Sequence, residues 1–317
     1  MKKLFMMMAT TAIVLAGCSK DEMDHIPNGQ KEIKFSNLND KVNTRAANDN
    51  GYNYQVYAVW NGGTTWLIND DVDGTTNVPS GGPYYWPTEA GSTVDFYAWA
   101  PSLVTATANY PDLSIDYTVG NAEEDFTIAK PKTGLSSGVV AFEFAHMLSK
   151  ISVTASLSQD LLDAGYSLDA TTLATGLSAN LSVNTVGGTI NPKDADPVWT
   201  APISNQATYT NTSFLIMPQT STGCTVQIMN GIQIMKDDVH QIYIGGLSEY
   251  TIKAGDIAGD VFEKGKHYML NLTIDDSSHG NGPDPENPDP IFNIITFTSD
   301  VADWDTPAGI DTPLGQP

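Results

Sequence analysis

The sequence predicts an all-β protein built from two tandem antiparallel β-sandwiches. Three observations carry that expectation. Short runs of β-branched and aromatic residues recur at regular spacing. Clusters of Gly, Asn, Asp and Pro separate them. Up to Leu157 no stretch repeats apolar residues at three-and-four spacing over three turns, as a long helix requires. Many short strands with no helices between them bury one face of each sheet against another sheet.

The first candidate strand lies early, in Lys31–Ala46 (KEIKFSNLNDKVNTRA). Ile33 and Phe35 alternate with Glu32, Lys34 and Ser36, the pattern of a short half-buried strand. The stretch then turns polar and reaches Arg45, the only arginine in the chain. A protease that reads arginine therefore has one bond to cut, Arg45–Ala46. We read the early strand as temporary and that cut as the event that starts function. The plain alternative is that a basic-poor protein holds one arginine by chance.

Ahead of it, residues 1–18 read as a signal peptide. Lys2 and Lys3 precede the apolar run Leu4–Ala16, which is shorter than the roughly 20 residues of a membrane span. The run ends in Leu15-Ala16-Gly17-Cys18, which looks like a lipobox, making Cys18 the lipidation site. Acyl chains there would anchor the chain to a membrane at about 0.8 kcal/mol per buried methylene. Residues 19–45 form the leader.

The only other cysteine is Cys224, so a lipidated Cys18 leaves no internal disulfide and the core must hold the fold. Against 15 basic residues stand 37 acidic ones, a net charge of −22. Nucleic acid is excluded as a partner by that balance.

After the cut, Tyr52–Trp60 (YNYQVYAVW) reads as a strand, Asn61-Gly62-Gly63 as a turn and Thr64–Ile68 as a second strand. Asn69–Gly74 and Pro79–Pro83 read as loop. Val94–Pro101 (VDFYAWAP) is a strand halted by its proline, followed by strands at Phe126–Ala129 and, continuously, Val139–Leu157. We place the boundary between the sandwiches near Gly138, giving domains 46–138 and 139–317. In the second half a helical turn or two fits within Leu161–Leu173. A hairpin around Gly187-Gly188 joins Leu177–Val186 to Gly188–Ile190. Strands follow at Phe214–Pro218, Thr225–Ile234, Val239–Ile244 and Tyr268–Ile274. Residues 275–290 (DDSSHGNGPDPENPDP) are an acidic, Pro-rich linker. A strongly strand-forming terminus, residues 291–304, comes last. It reads either as a final strand that folds home or as one able to join another molecule.

No active site emerges. Gly134-Leu135-Ser136-Ser137-Gly138 matches G-x-S-x-G, but that elbow needs a strand before it and a helix after it, and here a strand is expected to follow. Asn69–Gly74 (NDDVDG) resembles the opening of a calcium loop, yet Ser80 stands where the loop needs glutamate. The five histidines show no metal-ligand spacing. No cofactor is expected, and the chain reads as a structural protein, not an enzyme.

Several stretches in order resemble one family. They are Tyr84–Pro101 (YYWPTEAGSTVDFYAWAP), Phe144–Ile151, Phe214–Thr220, Gly265–Tyr268 and Val301–Trp304. Together they look like the fimbrillins of Bacteroidota, pilins assembled from lipoprotein precursors. Ser19–Glu22 likewise resembles a surface-export tag of such lipoproteins. The resemblance implies two transthyretin-like sandwiches, an outer-membrane lipoprotein precursor, and cleavage at Arg45-Ala46 by an arginine-specific protease. It further implies a groove that Ile33 and Phe35 fill until cleavage. A donor strand from another fimbrial subunit then replaces them, and in this sequence Ile291, Ile294, Ile295 and Phe297 are its candidates. The product would be a fimbrium on the cell surface that supports adhesion to a host or bacterial ligand. The rival reading is a monomeric surface lipoprotein that binds glycans through Trp60, Trp66 and Trp86.

Overall fold

In the computed structural model, residues 30–37, 53–120, 125–168, 177–230, 233–236, 240–243, 249–276 and 292–303 are described. These are nearly all strand, in β-sheets stacked around three apolar layers. The first sheet runs in the order Phe144–His146, Thr127–Ala129, Val94–Ala100, Tyr54–Trp60, Ile68–Val72, and Lys132–Leu135 also pairs with Val94–Ala100. Tyr54, Val56 and Ala58 alternate with Tyr57 and Val59 on its central strand. The even-numbered side chains enter the first core, and the odd ones enter a middle layer shared with Leu113, Ile115, Ile190 and Met217. A sheet buried on both faces needs near-continuous apolar strands, which is why YQVYAVW and VDFYAWA read as they do.

Two further large sheets follow, the second of them drawing Asp112–Thr118 and Ala106–Asn109 from the first half of the chain. One runs Ser213–Ile216, Ser149–Leu157, Lys266–Asp276, Phe292–Asp303. The other runs Tyr250–Thr251, Thr225–Asn230, Ser178–Ile190, Asp112–Thr118, Ala106–Asn109, with Thr200–Asn211 along the far side of Ser178–Ile190. The third core lies between them, around Ile151, Leu181, Phe214, Val226 and Leu270.

Several expectations change. The stretch 139–157 is three strands, Val139–Phe142, Phe144–His146 and Ser149–Leu157. Consecutive Met147 and Leu148 are both buried in the middle layer, so alternation fails there and the chain crosses between sheets. The expected hairpin around Gly187-Gly188 is one continuous strand, Ser178–Ile190. Those glycines admit close neighbours, since a Cβ on Gly187 would sit 2.5 Å from the Tyr117 carbonyl oxygen. The turn falls later, before Thr200–Asn211. The second strand is Ile68–Val72, inside the expected loop, because Asp70 takes part in the turn beyond it by accepting from Gly81 N at 2.6 Å. Among the described residues two strand pairs are parallel, Lys34–Asn37 with Val139–Phe142 and Ser149–Leu157 with Lys266–Asp276. The helical turn is Gln159–Asp163, capped by the Ser158 side chain accepting from Leu161 N.

Candidate functional site

The early strand is docked. Its first residues clasp Tyr84–Trp86: Ile33 N donates to the Tyr84 carbonyl at 2.8 Å, and Trp86 N donates to the Lys31 carbonyl at 2.9 Å. Lys34–Asn37 then pairs in parallel with Val139–Phe142, from Lys34 opposite Val139 to Asn37 opposite Phe142. Alternation decides which side chains go in. Ile33 is 1% exposed and Phe35 6%, while Glu32 and Lys34 stay in solvent. The Phe35 ring stacks on Phe142 at 5.9 Å and meets Phe96 edge-on at 6.2 Å. Trp86 meets Phe96 at 5.6 Å, with the two ring planes nearly perpendicular. Both leader side chains thus belong to the first core, with Tyr54, Val56 and Val140 around them.

This strand has an unusual share in its layer. The sheet it forms has two members, and Val139–Phe142 has no other strand partner among the described residues. Removal of Lys34–Asn37 would leave Val139–Phe142 without a strand partner among the described residues and would open Phe96, Phe142 and Trp86 to water.

The terminal strand is also docked, at the edge of a different sheet. Phe292–Asp303 runs antiparallel to Lys266–Asp276, with Phe297 opposite Leu272 and Ile294 opposite Ile274. The register slips between those pairs, so Ile295 is the extra residue of a bulge. Toward its end, Thr298, Asp300, Val301 and Asp303 are exposed. Polar ties hold that half: Ser299 Oγ donates to the Asp256 carbonyl at 2.7 Å, and Lys266 pairs with Asp303. The Asp303 carboxylate beside it raises the Lys266 pKa.

Other sequence candidates find ordinary structural places. Cys18, Arg45, Ala46 and Ile291 lie outside the described residues. Gly134–Gly138 runs from strand Lys132–Leu135 through a turn into strand Val139–Phe142, with no helix after it. Asp73 closes its own loop by accepting from Thr76 N and Thr76 Oγ1 at 2.6 and 2.9 Å, and from Thr75 N at 3.0 Å, which lowers its pKa. His146 bonds Asp125 at 2.7 Å and His267 bonds Ser152 at 2.6 Å. No group of three or more metal-ligating side chains occurs among the described residues. Trp86 is 4% exposed and cannot serve as a stacking platform. Trp66 is half-buried, its ring edge-on to Tyr57 and Tyr110 at 4.9 and 5.4 Å.

The sequence matches the family described as Fimbrillin-like over residues 38–304. The chain belongs to the fimbrillin-like family. No curated protein matches it. Among solved structures, a candidate cell adhesion protein of Bacteroides uniformis superposes with a TM-score of 0.55 at 17% identity, covering 87% of this chain and 98% of that one. A similar candidate from Bacteroides ovatus gives 0.45 at 16% identity, with 87% and 98% covered. The fimbrial anchor protein Mfa2 of Porphyromonas gingivalis gives 0.33 at 7%, with 84% and 95% covered. At these identities the first likeness establishes a shared fold, and the other two carry no weight. Fimbrillin-like membership puts the chain among fimbrial and adhesive proteins.

Proposed function

We propose that this fimbrillin-like chain is a structural subunit of a surface fimbrium, made as a precursor and joined to its neighbours by strand exchange. Lipid on Cys18 would hold the precursor at the outer membrane, and an arginine-specific protease would cut Arg45–Ala46. The observation that carries this reading is the docked leader strand, which supplies Ile33 and Phe35 to the first core from the far side of the chain's one arginine. Before the cut that strand is tethered to the body. After it, the same contacts are held by backbone pairing and two side chains alone.

Magnitudes set what must replace it. Burying Ile33 and Phe35 contributes roughly 1.5–3 kcal/mol each. A donor on another molecule also faces association and ordering costs of about 4–15 kcal/mol, so it has to insert more apolar side chains than the leader does. In a straight strand at the end of the chain, Ile291, Ile295 and Phe297 share one face, which is one apolar side chain more than the leader supplies, while Ile294 faces the other way. Because slot and donor are different parts of the chain, each contact leaves one of each free and the assembly is open and head-to-tail. The body holds the fold and supports adhesion, and no chemistry is assigned to it.

The test is cleavage of purified precursor by an arginine-specific protease. Cut wild-type chains should start at Ala46 and form ladders on a mild-detergent gel, while Arg45→Ala stays single under the same treatment. Ladders from uncut Arg45→Ala would sink the mechanism.

A further inference from the structure

We infer that the edge strand Thr200–Asn211 is a second, lateral contact between copies of this chain, formed by antiparallel pairing of that strand with its twin. The inference does not depend on how the fimbrium grows at its ends.

The first observation is charge. The chain carries −22 overall, so two copies repel wherever acidic surfaces meet. Yet from Pro197 to Met235 there is no Asp, Glu, Lys, Arg or His, and from Ala170 to Pro192 there is none either. The charged residues between these runs, Lys193, Asp194 and Asp196, sit in the turn that leads into the edge strand. This part of the sheet carries no charged residue, so a second acidic copy can approach it at little electrostatic cost.

The second observation is the edge itself. Among the described residues Thr200–Asn211 pairs only with Ser178–Ile190, along one side. All of its residues from 200 to 206 are exposed, as are Thr208 and Thr210, and Ile203 is 44% exposed. A long edge strand is a template for another strand, and proteins usually guard it with lysines or inward charges. Here no charge guards it. Pro202 and the slips in register lie in its first half, while Ala207–Asn211 pairs regularly with Ala179–Val183.

The third is the side-chain pattern of that regular half. Thr208 Oγ1 lies 2.7 Å from Ser182 Oγ, and Thr210 Oγ1 donates to Asn180 Oδ1 at 2.6 Å. A two-fold axis at Tyr209 sets Thr208 of one copy opposite Thr210 of the other. The rows Ser182–Thr208 and Thr210–Asn180 then join into one hydroxyl and amide row across both copies. Thr–Thr neighbours are favourable cross-strand pairs, and a two-fold contact uses the same patch on both partners. The occupant that fits is therefore a second copy of this chain.

The register gives a sharp test. Full-length chains in the Arg45→Ala background, which keeps end-to-end growth out of the readout, are expressed carrying Thr208→Cys, Thr210→Cys, or both variants in one cell. Directly opposed residues lie about 4.5–5.5 Å apart between Cα atoms, within disulfide reach. After mild oxidation, a non-reducing gel should show a dimer at least tenfold stronger for the co-expressed pair than for either single variant. Thr107→Cys with Asn109→Cys, on the opposite edge of the same sheet, should give no such band. Absence of the dimer overturns the inference, as does equal crosslinking by either single variant or by the control pair. Retardation of the uncrosslinked protein on a soluble polysaccharide, with no dimer, would reassign the face to glycan binding.

Discussion

Phe35→Ala tests the claim that the leader strand is an integral part of the first core. The side chain is 6% exposed and held between Phe142 and Phe96 at 5.9 and 6.2 Å, so its removal both loses apolar burial and leaves a hole. Phe-to-Ala changes at such sites cost about 3–5 kcal/mol. That is comparable to the whole contribution of Ile33 and Phe35 together, roughly 3–6 kcal/mol from burial. The leader should therefore come off its slot well before the rest of the sandwich opens. Hydrogen exchange reads this directly, because Val140 and Phe142 lie in the strand that has no other partner among the described residues. At about 1.4 kcal/mol per factor of ten, amide protection in Val139–Phe142 should fall by roughly two to three and a half orders of magnitude, while the Ser149–Leu157 amides keep theirs. Val301→Ala, at a 41% exposed position, should change stability by no more than about 0.5 kcal/mol. Unchanged protection in Val139–Phe142 after Phe35→Ala would refute the reasoning, since the slot would then be stable without the leader's aromatic ring.

Three other outcomes follow from named contacts. Replacing Ile295 and Phe297 together by Asn should abolish ladder formation by cleaved chains while circular dichroism still reports the sheet fold; ladders of normal length would place the donor elsewhere. Gln219 is 8% exposed, and its Oε1 accepts from both Asn184 N and Thr185 N at 2.9 Å, where the register of Ser178–Ile190 slips. Gln219→Ala leaves two N–H groups unpaired and should cost about 2–4 kcal/mol in denaturant unfolding; a loss under about 0.5 kcal/mol would show that the bulge does not need it. Burial pushes the Cys224 thiol up to about 11, and the side chain is fully enclosed, so folded protein at pH 8 should resist alkylation there and react only once unfolded. Mass spectrometry of native labelled protein decides it.

Much of the fold was legible because the first sheet is buried on both sides. Strands such as Tyr54–Trp60 and Val94–Ala100 face apolar layers above and below, so their composition leaves little room for another reading. Ile33 and Phe35 were legible for the opposite reason: one face is in the core and Glu32 and Lys34 are in water. What escaped was structure made from polar residues. Thr200–Asn211 gives neither alternation nor a continuous apolar run, because its partner's backbone holds it and most of its side chains meet solvent. Gly187 and Gly188 signalled a turn, but their small size serves close packing against Tyr117 and Thr200. The slip at Ile295 was likewise invisible, because a bulge depends on the partner strand and not on the residue that protrudes.

That slip bears on why the proposed exchange would favour the slot over the strand's present berth. Side chains enter the slot two residues apart, as Ile33 and Phe35 do. In the terminal run the same I-x-F spacing occurs once, at Ile295 and Phe297. While the strand is paired with Lys266–Asp276, the extra residue at Ile295 interrupts that two-residue period. A straight strand in the slot would restore it, with Ile295 and Phe297 on one face. Its home sheet also holds the strand's last residues by polar and charged ties to Asp256 and Lys266, contacts that water replaces at small cost. The first core, by contrast, offers Phe96, Phe142 and Trp86, which nothing but an apolar side chain covers well. On this account the two docking sites differ in kind, one a backbone edge and the other an apolar cavity. In the proposed exchange that difference would set the direction, from the edge of one subunit to the core of the next.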